Sequence, residues 1–257
     1  MTPKQILIAF QTLSIKELVR CFRIWPQTIM PPVITTILYF LIFGKLIGSQ
    51  LSAVQGFTYM QYIAPGLMMM QVITNSYVNA SSSFFSMKFQ RSIEEILISP
   101  TPNYIILLGF VTGSVARGLI VGLLVMVIAL FFTHFDLHHV GLMLFTVLLT
   151  SIFFATAGVI NGIFARNFDD VSWIPSFVLT PLTYLGGVFF SVSMLSGVWK
   201  KIAMVNPILY IVDLFRYSVL GITDANVIIS LLVLLVLSCS LFILTLHLLS
   251  SSTRLRG

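Results

Sequence analysis

Six long apolar runs, at about 26–47, 58–86, 104–133, 140–165, 171–191 and 226–248, leave this chain few ways to fold in water. Each is near the ~20 residues that carry an α-helix across the hydrocarbon core of a bilayer. Charged residues are 9% of the 257 and apolar residues 58%, against about 25% charged in soluble domains. A soluble domain of this length has no interior able to hide that much apolar surface, so the solvent is lipid. The expected fold is all-α: a polytopic membrane protein with six transmembrane helices in one domain over residues 1–257. The net charge of +6 does not point to nucleic acid, because the basic residues stand at the ends of apolar runs. Cys21 and Cys239 lie far apart in sequence and imply no disulfide framework. The first residues lack the apolar core and cleavage site of a signal peptide, so they are expected to be retained.

Lys and Arg set the orientation. With the N-terminus in the cytoplasm, nine lie inside: Lys4, Lys16, Arg20, Arg23, Lys88, Arg91, Arg166, Arg254 and Arg256. Four lie outside, Lys45, Lys200, Lys201 and Arg216, and Arg117 lies within a run. The bias predicts both termini inside, with a residue such as Ser196 outside and Ser252 inside. Residues 3–23 read as an amphipathic helix on the membrane surface, with Lys16, Arg20 and Arg23 toward anionic headgroups and Ile6, Phe10 and Leu13 on another face.

Two connections carry the most information. Between the second and third runs, residues 88–99 predict a short helix with Phe89, Ile93, Ile96 and Leu97 as an apolar face and Arg91 paired with Glu95 one turn on. Ser99-Pro100 ends it, since the residue before proline leaves the helical region. An apolar ridge edged by Glu94 and Glu95 suits a partner with a basic rim; a plain connector between two spans fits the same residues. Between the fifth and sixth runs, Ile208 to Leu220 is apolar but too short to cross, which reads as re-entrant. Asn206 is placed to cap its helix, Pro207 to open it and Gly221 to end it. Trp199, Lys200 and Lys201 suit the outer headgroup level.

No G-x-x-x-x-G-K-[ST] phosphate loop occurs. The chain is therefore expected to be no enzyme, to bind no cofactor directly, and to take any ATP-derived drive from another polypeptide. Arg117 is costly at membrane depth and reads as structural, paired with Asp169 or a lipid phosphate. Asp170 is expected to cap the fifth helix. His134, Asp136, His138 and His139 need no metal, and none is expected. Gly109/Gly113, Gly118/Gly122 and Gly158/Gly162 are spaced for close helix packing.

The order Glu94-Glu95-Ile96-Leu97, Ser99-Pro100, then Pro181, Gly186-Gly187-Val188-Phe189, then Asn206-Pro207, Tyr210, Arg216 and Gly221 resembles the type-2 permeases of ATP-binding-cassette exporters. Drug-export and nodulation lipo-oligosaccharide-export permeases look similar, and the likeness covers nearly the whole chain. It implies that Arg91, Glu94, Glu95, Leu97 and Pro100 lie on a coupling helix docked on a separate ATPase, which binds ATP and Mg. It implies that Asn206, Pro207, Tyr210 and Arg216 belong to re-entrant helices of an outer gate. Phe168-Asp169-Asp170 falls on the second cytoplasmic connection. Where such permeases often carry a proline-containing turn, this chain has Phe190-Ser191-Val192-Ser193.

The expected function is an inner-membrane permease subunit, a homodimer among membrane lipids, exporting a drug, glycolipid or lipid. The polar second run and the broken fifth are the expected cavity walls. Gln71, Asn75, Asn79 and Thr183 would meet a polar head, and Phe177, Tyr184 and Phe189 an apolar part. An ATP-independent transporter or channel would want acids inside the spans as relays, and every Asp and Glu falls at a span end or in a connection. An intramembrane enzyme would have to draw on the histidines or Asp169-Asp170, which fall on opposite faces.

Overall fold

The computed structural model describes residues 2–48, 54–135 and 137–251, with the side chains of 45–47 excepted. Asp136, Ser252, Arg254, Arg256 and the side chain of Lys45 therefore fall outside what is described. The regular structure among the described residues is helical, apart from one isolated bridge between Val54 and Phe57. α1 is Pro3–Arg23, and α2 is Trp25–Tyr39, running on into a wider π turn at Phe40–Ile47. α3 is Tyr59–Phe89, α4 Ser92–Ile98, α5 Asn103–Phe132 and α6 Val140–Phe164. α7, Phe168–Ile174, passes through a π turn at Pro175–Leu179 into α8, Thr180–Leu185. A 3₁₀ turn at Val192–Met194 leads to α9, Gly197–Val205, then α10, Pro207–Leu220, and α11, Val227–Ser251.

Among the described residues four helices are long and apolar enough to cross a membrane: Trp25–Gly44, Asn103–Phe132, Val140–Phe164 and Val227–Ser251. The pair α9–α10, bent by 82°, makes a fifth if counted as one span. Two expected runs do not qualify on length and composition. α3 is long enough, about 46 Å for 31 residues, but carries Gln71, Asn75, Asn79 and Ser81 to Ser83. α7–α8 is broken by its π turn.

α3 tolerates those polar residues because it is the centre of the molecule. Residues from Tyr62 to Met87 are buried along most of its length, against α5, α6 and α10. Glycines set the spacing. A Cβ on Gly158 would meet the Tyr77 carbonyl, and one on Gly162 would stand 3.0 Å from Phe84. Gly122 faces Val72, and Gly109 faces Leu13 of α1 at 2.7 Å. The three glycine pairs thus bring α6 and α5 onto α3, and α1 onto α5, at backbone distance.

α1 differs from the amphipathic reading. Its half-buried Ile6, Phe10 and Leu13 share the side that packs on α5 with buried Ser14, Glu17 and Cys21. Its exposed side carries Leu7, Ile8, Ile15, Val19 and Phe22. Lys16, though exposed, reaches Met87 Sδ at 3.1 Å, and half-buried Arg20 reaches Ser82 Oγ at 3.2 Å. Glu17 holds Arg20 there: its buried carboxylate accepts a 2.5 Å bond from Ser83 and sits 3.5 Å from Arg20, and a buried charge needs such partners.

Gly158→Ala should cost about 1–3 kcal/mol, the overpacking range, because its new methyl meets backbone. Gly141→Ala, with open space around the position, should be neutral. Thermal unfolding of both variants in one detergent checks the contrast.

Candidate functional site

A cavity of about 330 Å³ opens between α2, α3, α5 and α8. Gln71 and Asn75 of α3 and Thr183 and Tyr184 of α8 line it, together with Thr35 and Tyr39 of α2 and Arg117 of α5. Gln71 Nε2 donates to Thr35 Oγ1 at 3.1 Å, and the Tyr39 and Tyr184 hydroxyls stand 3.3 Å apart. Phe189 closes an aromatic rim, its ring 5.6 Å from Tyr184 and 5.7 Å from Tyr39. Asn79, one turn from Asn75, does not line the cavity; it is buried behind it and accepts from Arg117. Phe177 lies outside the cavity, 67% exposed and against Trp173. Seven residues apart in a regular helix, Phe177 and Tyr184 would share a face; the π turn between them shifts the register.

Arg117 does not pair with Asp169, which is exposed on the first turn of α7. It reaches across to α3 instead, donating to Asn75 Oδ1 at 3.3 Å and Asn79 Oδ1 at 3.4 Å. Asn79 is held by its own bond to Ser114 Oγ at 3.0 Å, and Asn75 by one to the Gln71 carbonyl. Cys21 of α1 is a neighbour of Arg117. Burial pushes its thiol up, against the opposing pull of Arg117 and Arg20, so it stays neutral and supplies no counter-charge.

At the end where α3 meets α6, Lys88 Nζ donates to the carbonyls of Ile163 and Ala165 at 2.6 and 2.9 Å. These are orphan acceptors of a helix C-terminus, a favoured place for a cation. α4 then hangs between α3 and α5. It spans Ser92–Ile98, not 88–99, because Arg91 takes a left-handed conformation with φ 58° that breaks the chain away from α3. Arg91 and Glu95 are therefore not an intrahelical pair. The expected ridge is divided too: Ile93 is buried, Ile96 and Leu97 are half-buried against the core, and Phe89 belongs to α3. Outward stand Arg91, Glu95, Pro100 and Ile98, the last 85% exposed, with Glu94 partly covered. Phe168 packs on Phe85 and Phe89, bringing the start of α7 beside α4. Asn167, not Asp170, caps α7, accepting from the Asp170 N–H at 2.7 Å. Asp170 Oδ2 accepts from the Arg166 N–H at 2.9 Å.

At the opposite end, α10 is capped by Asn206, whose Oδ1 accepts from the Ile208 N–H while its Nδ2 donates to the Leu182 carbonyl at 2.6 Å. Pro207 takes the first helical position and Gly221, at φ 75°, ends the helix. Tyr210 Oη donates to the Met204 carbonyl, bracing α9 on α10. Arg216 is 2% exposed. It donates to the Gly187 carbonyl at 2.6 Å and lies 4.0 Å over the ring of Tyr62. Two acids complete this network. Asp213 accepts from Thr223 and from the N–H groups of Asp224 and Ala225. Asp224 accepts from Ser191, the Val192 N–H, Tyr62 and Gln55. The Ser191-Val192-Ser193 turn, which departs from the proline-containing turn of similar permeases, is anchored on Asp224. His138 and His139 pack on Tyr217.

Sequence reasoning missed Glu17, Tyr62, Asp213 and Asp224. Asp213 carried a signal, since it is an acid within an otherwise apolar stretch three residues before Arg216. Glu17 carried none, sitting beside Lys16 like an ordinary surface pair.

Arg216→Ala should cost about 1–3 kcal/mol, because it leaves the buried Gly187 carbonyl unpaired. Hydrogen exchange at residues 186–192 should accelerate; unchanged exchange there would contradict a strap formed by Arg216 on the Gly187 carbonyl.

A family model described as ABC-2 type transporter matches residues 8–220. The chain is 49% identical over 250 residues to "Inner membrane transport permease YadH" of Escherichia coli strain K12, covering 97% of this chain and 98% of that protein. It is 24% identical over 194 residues to "Nodulation protein J" of Rhizobium leguminosarum bv. viciae, covering 74% of each.

Proposed function

The chain belongs to the ABC-2 type transporter family, and on that premise we propose that it is the inner-membrane permease subunit of an ATP-driven exporter of amphipathic, lipid-like molecules. Such a subunit draws its energy from a separate ATPase chain that holds the ATP and Mg. The observation that carries this reading is α4, a two-turn helix slung between α3 and α5 with Glu95 and Ile98 outward and Glu94 at its edge. A carboxylate-edged projection with one bare apolar side chain is suited to a basic-rimmed groove on a partner. Leu97 and Ile93 seat it on the body of the permease, so a push on α4 reaches α3 and α5 directly.

In this reading there are six spans: α2 with its π turn, α3, α5, α6, α7–α8 and α11. α9–α10 is re-entrant on the outer side, and both termini are cytoplasmic. Two copies form a homodimer, the simplest closed assembly, with α1 at the inner interface against lipid. ATP binding on the partner shifts the population between inward and outward states. The cavity between α2, α3, α5 and α8 receives the substrate, and the Arg216–Tyr62 and Asp224–Ser191 contacts hold the outer gate shut. The buried acids Glu17 and Asp213 lie on α1 and α10, outside these six spans, which disfavours an ion-relay transporter.

Replacing Glu94 and Glu95 together by Lys should abolish co-purification with the partner ATPase, with membrane insertion unchanged. Retained co-purification would sink the docking role. In a background with Cys21 and Cys239 replaced, a cysteine at Ser196 should react with impermeant maleimide from outside and one at Gln90 only from inside; the reverse pattern would refute the topology.

A further inference from the structure

Arg117 holds a positive charge within a membrane-crossing helix, and among the described residues no carboxylate pairs with it. It is 7% exposed. Among the described residues its acceptors are two neutral amide oxygens, of Asn75 and Asn79, at 3.3 and 3.4 Å. Charge-assisted bonds are usually nearer 2.7–2.9 Å. Its Nε has no hydrogen-bond partner among the described residues. The ion pair described, Glu17 with Arg20, is on α1 and leaves Arg117 unbalanced. A buried guanidinium in this condition is costly unless an anion completes it.

The surroundings say what kind of anion. Arg117 faces the cavity of about 330 Å³, large enough for a compact head group. Met70 and Val78 add apolar lining, and the Tyr39–Tyr184–Phe189 rim is aromatic. The guanidinium fork matches the oxygens of a phosphate or carboxylate, and the apolar rim suits a hydrocarbon tail. We propose that Arg117 is the recognition residue for an anionic head, phosphate or carboxylate, on an apolar-tailed molecule that enters this cavity. This names the substrate class of the exporter reading and rests on it. The weak bonds to Asn75 and Asn79 hold the guanidinium in place until an anion replaces them.

The test uses the full-length protein in nanodiscs of phosphatidylcholine, which has no net charge, with radiolabelled dodecyl phosphate as probe. Binding should be saturable and displaced by dodecanoate but not by dodecyltrimethylammonium. Arg117→Gln should weaken it by about tenfold or more, the loss expected for a charge-assisted contact. The same variant should unfold at an equal or higher temperature, because an unbalanced buried charge is gone; a purely structural arginine would give a lower one. Asn75→Asp places a carboxylate beside the guanidinium and should block the probe while leaving the arginine intact, which keeps the test decisive if Arg117→Gln does not fold. Nanodiscs with phosphatidylglycerol added distinguish the sources: displacement of the probe makes a bilayer phospholipid the anion, and undiminished binding assigns the site to a different amphiphile. Equal binding by wild type and both variants, or equal displacement by the cation, overturns the proposal. Absent anion binding with ATPase co-purification intact contradicts this inference alone; lost co-purification with anion binding intact contradicts the exporter reading alone.

Discussion

Polar groups at membrane depth must be satisfied inside the protein, and α3 makes that requirement the organising constraint of this structure. Its polar stripe is shielded by α5 and α6, which approach closely enough only because glycines at 118, 122, 158 and 162 present no side chain. Close approach in turn lets Asn79 meet Ser114 and lets Arg117 reach both asparagines. The interface that hides polarity from lipid is thus the one that places a polar cavity beside it. The long helix that carries the most polar side chains at membrane depth is buried along most of its length.

The same helix joins the two ends where the candidate functional features lie. At its start, Tyr62 carries the guanidinium of Arg216 and donates to Asp224. At its finish, Lys88 caps α6, and the left-handed turn at Arg91 releases α4. In the proposed mechanism a displacement of α4 travels along one continuous helix past the cavity to the outer strap. The breaks that allow motion are elsewhere, in the π turns of α2 and of α7–α8, the latter beginning at Pro175. Wide turns of this kind mark sites where a helix adjusts its register.

Much of the fold was legible because it rests on local rules. Asn206-Pro207 and Gly221 bound α10 through side-chain capping, a fixed φ and a left-handed residue, all written within a few positions. The glycine pairs likewise read directly as packing faces. The site was legible in part: Gln71, Asn75, Thr183 and Tyr184 share one cavity, but Phe177 left it when a π turn broke the helical period. Arg117 was visible as an anomaly, while its partners were not, since they depend on how deeply α5 slides along α3. Glu17 shows the limit most clearly. Its burial comes from Gly113 and Ser83, 96 and 66 residues away by number, and nothing in its neighbours announces it. α4 lies between α3 and α5, within the expected 88–99, but it is shorter than that, because the left-handed turn at Arg91 separates it from the end of α3.

In the proposed mechanism this permease works only with an ATPase supplied by another chain. Native mass spectrometry of the detergent-extracted complex, paired with ATP turnover on the same sample, tests it most directly. Two copies of this chain should appear with two of an ATPase, and hydrolysis should disappear when the ATPase is stripped away. Substrate or ion flux through proteoliposomes containing this chain alone, unaffected by ATP, would contradict it.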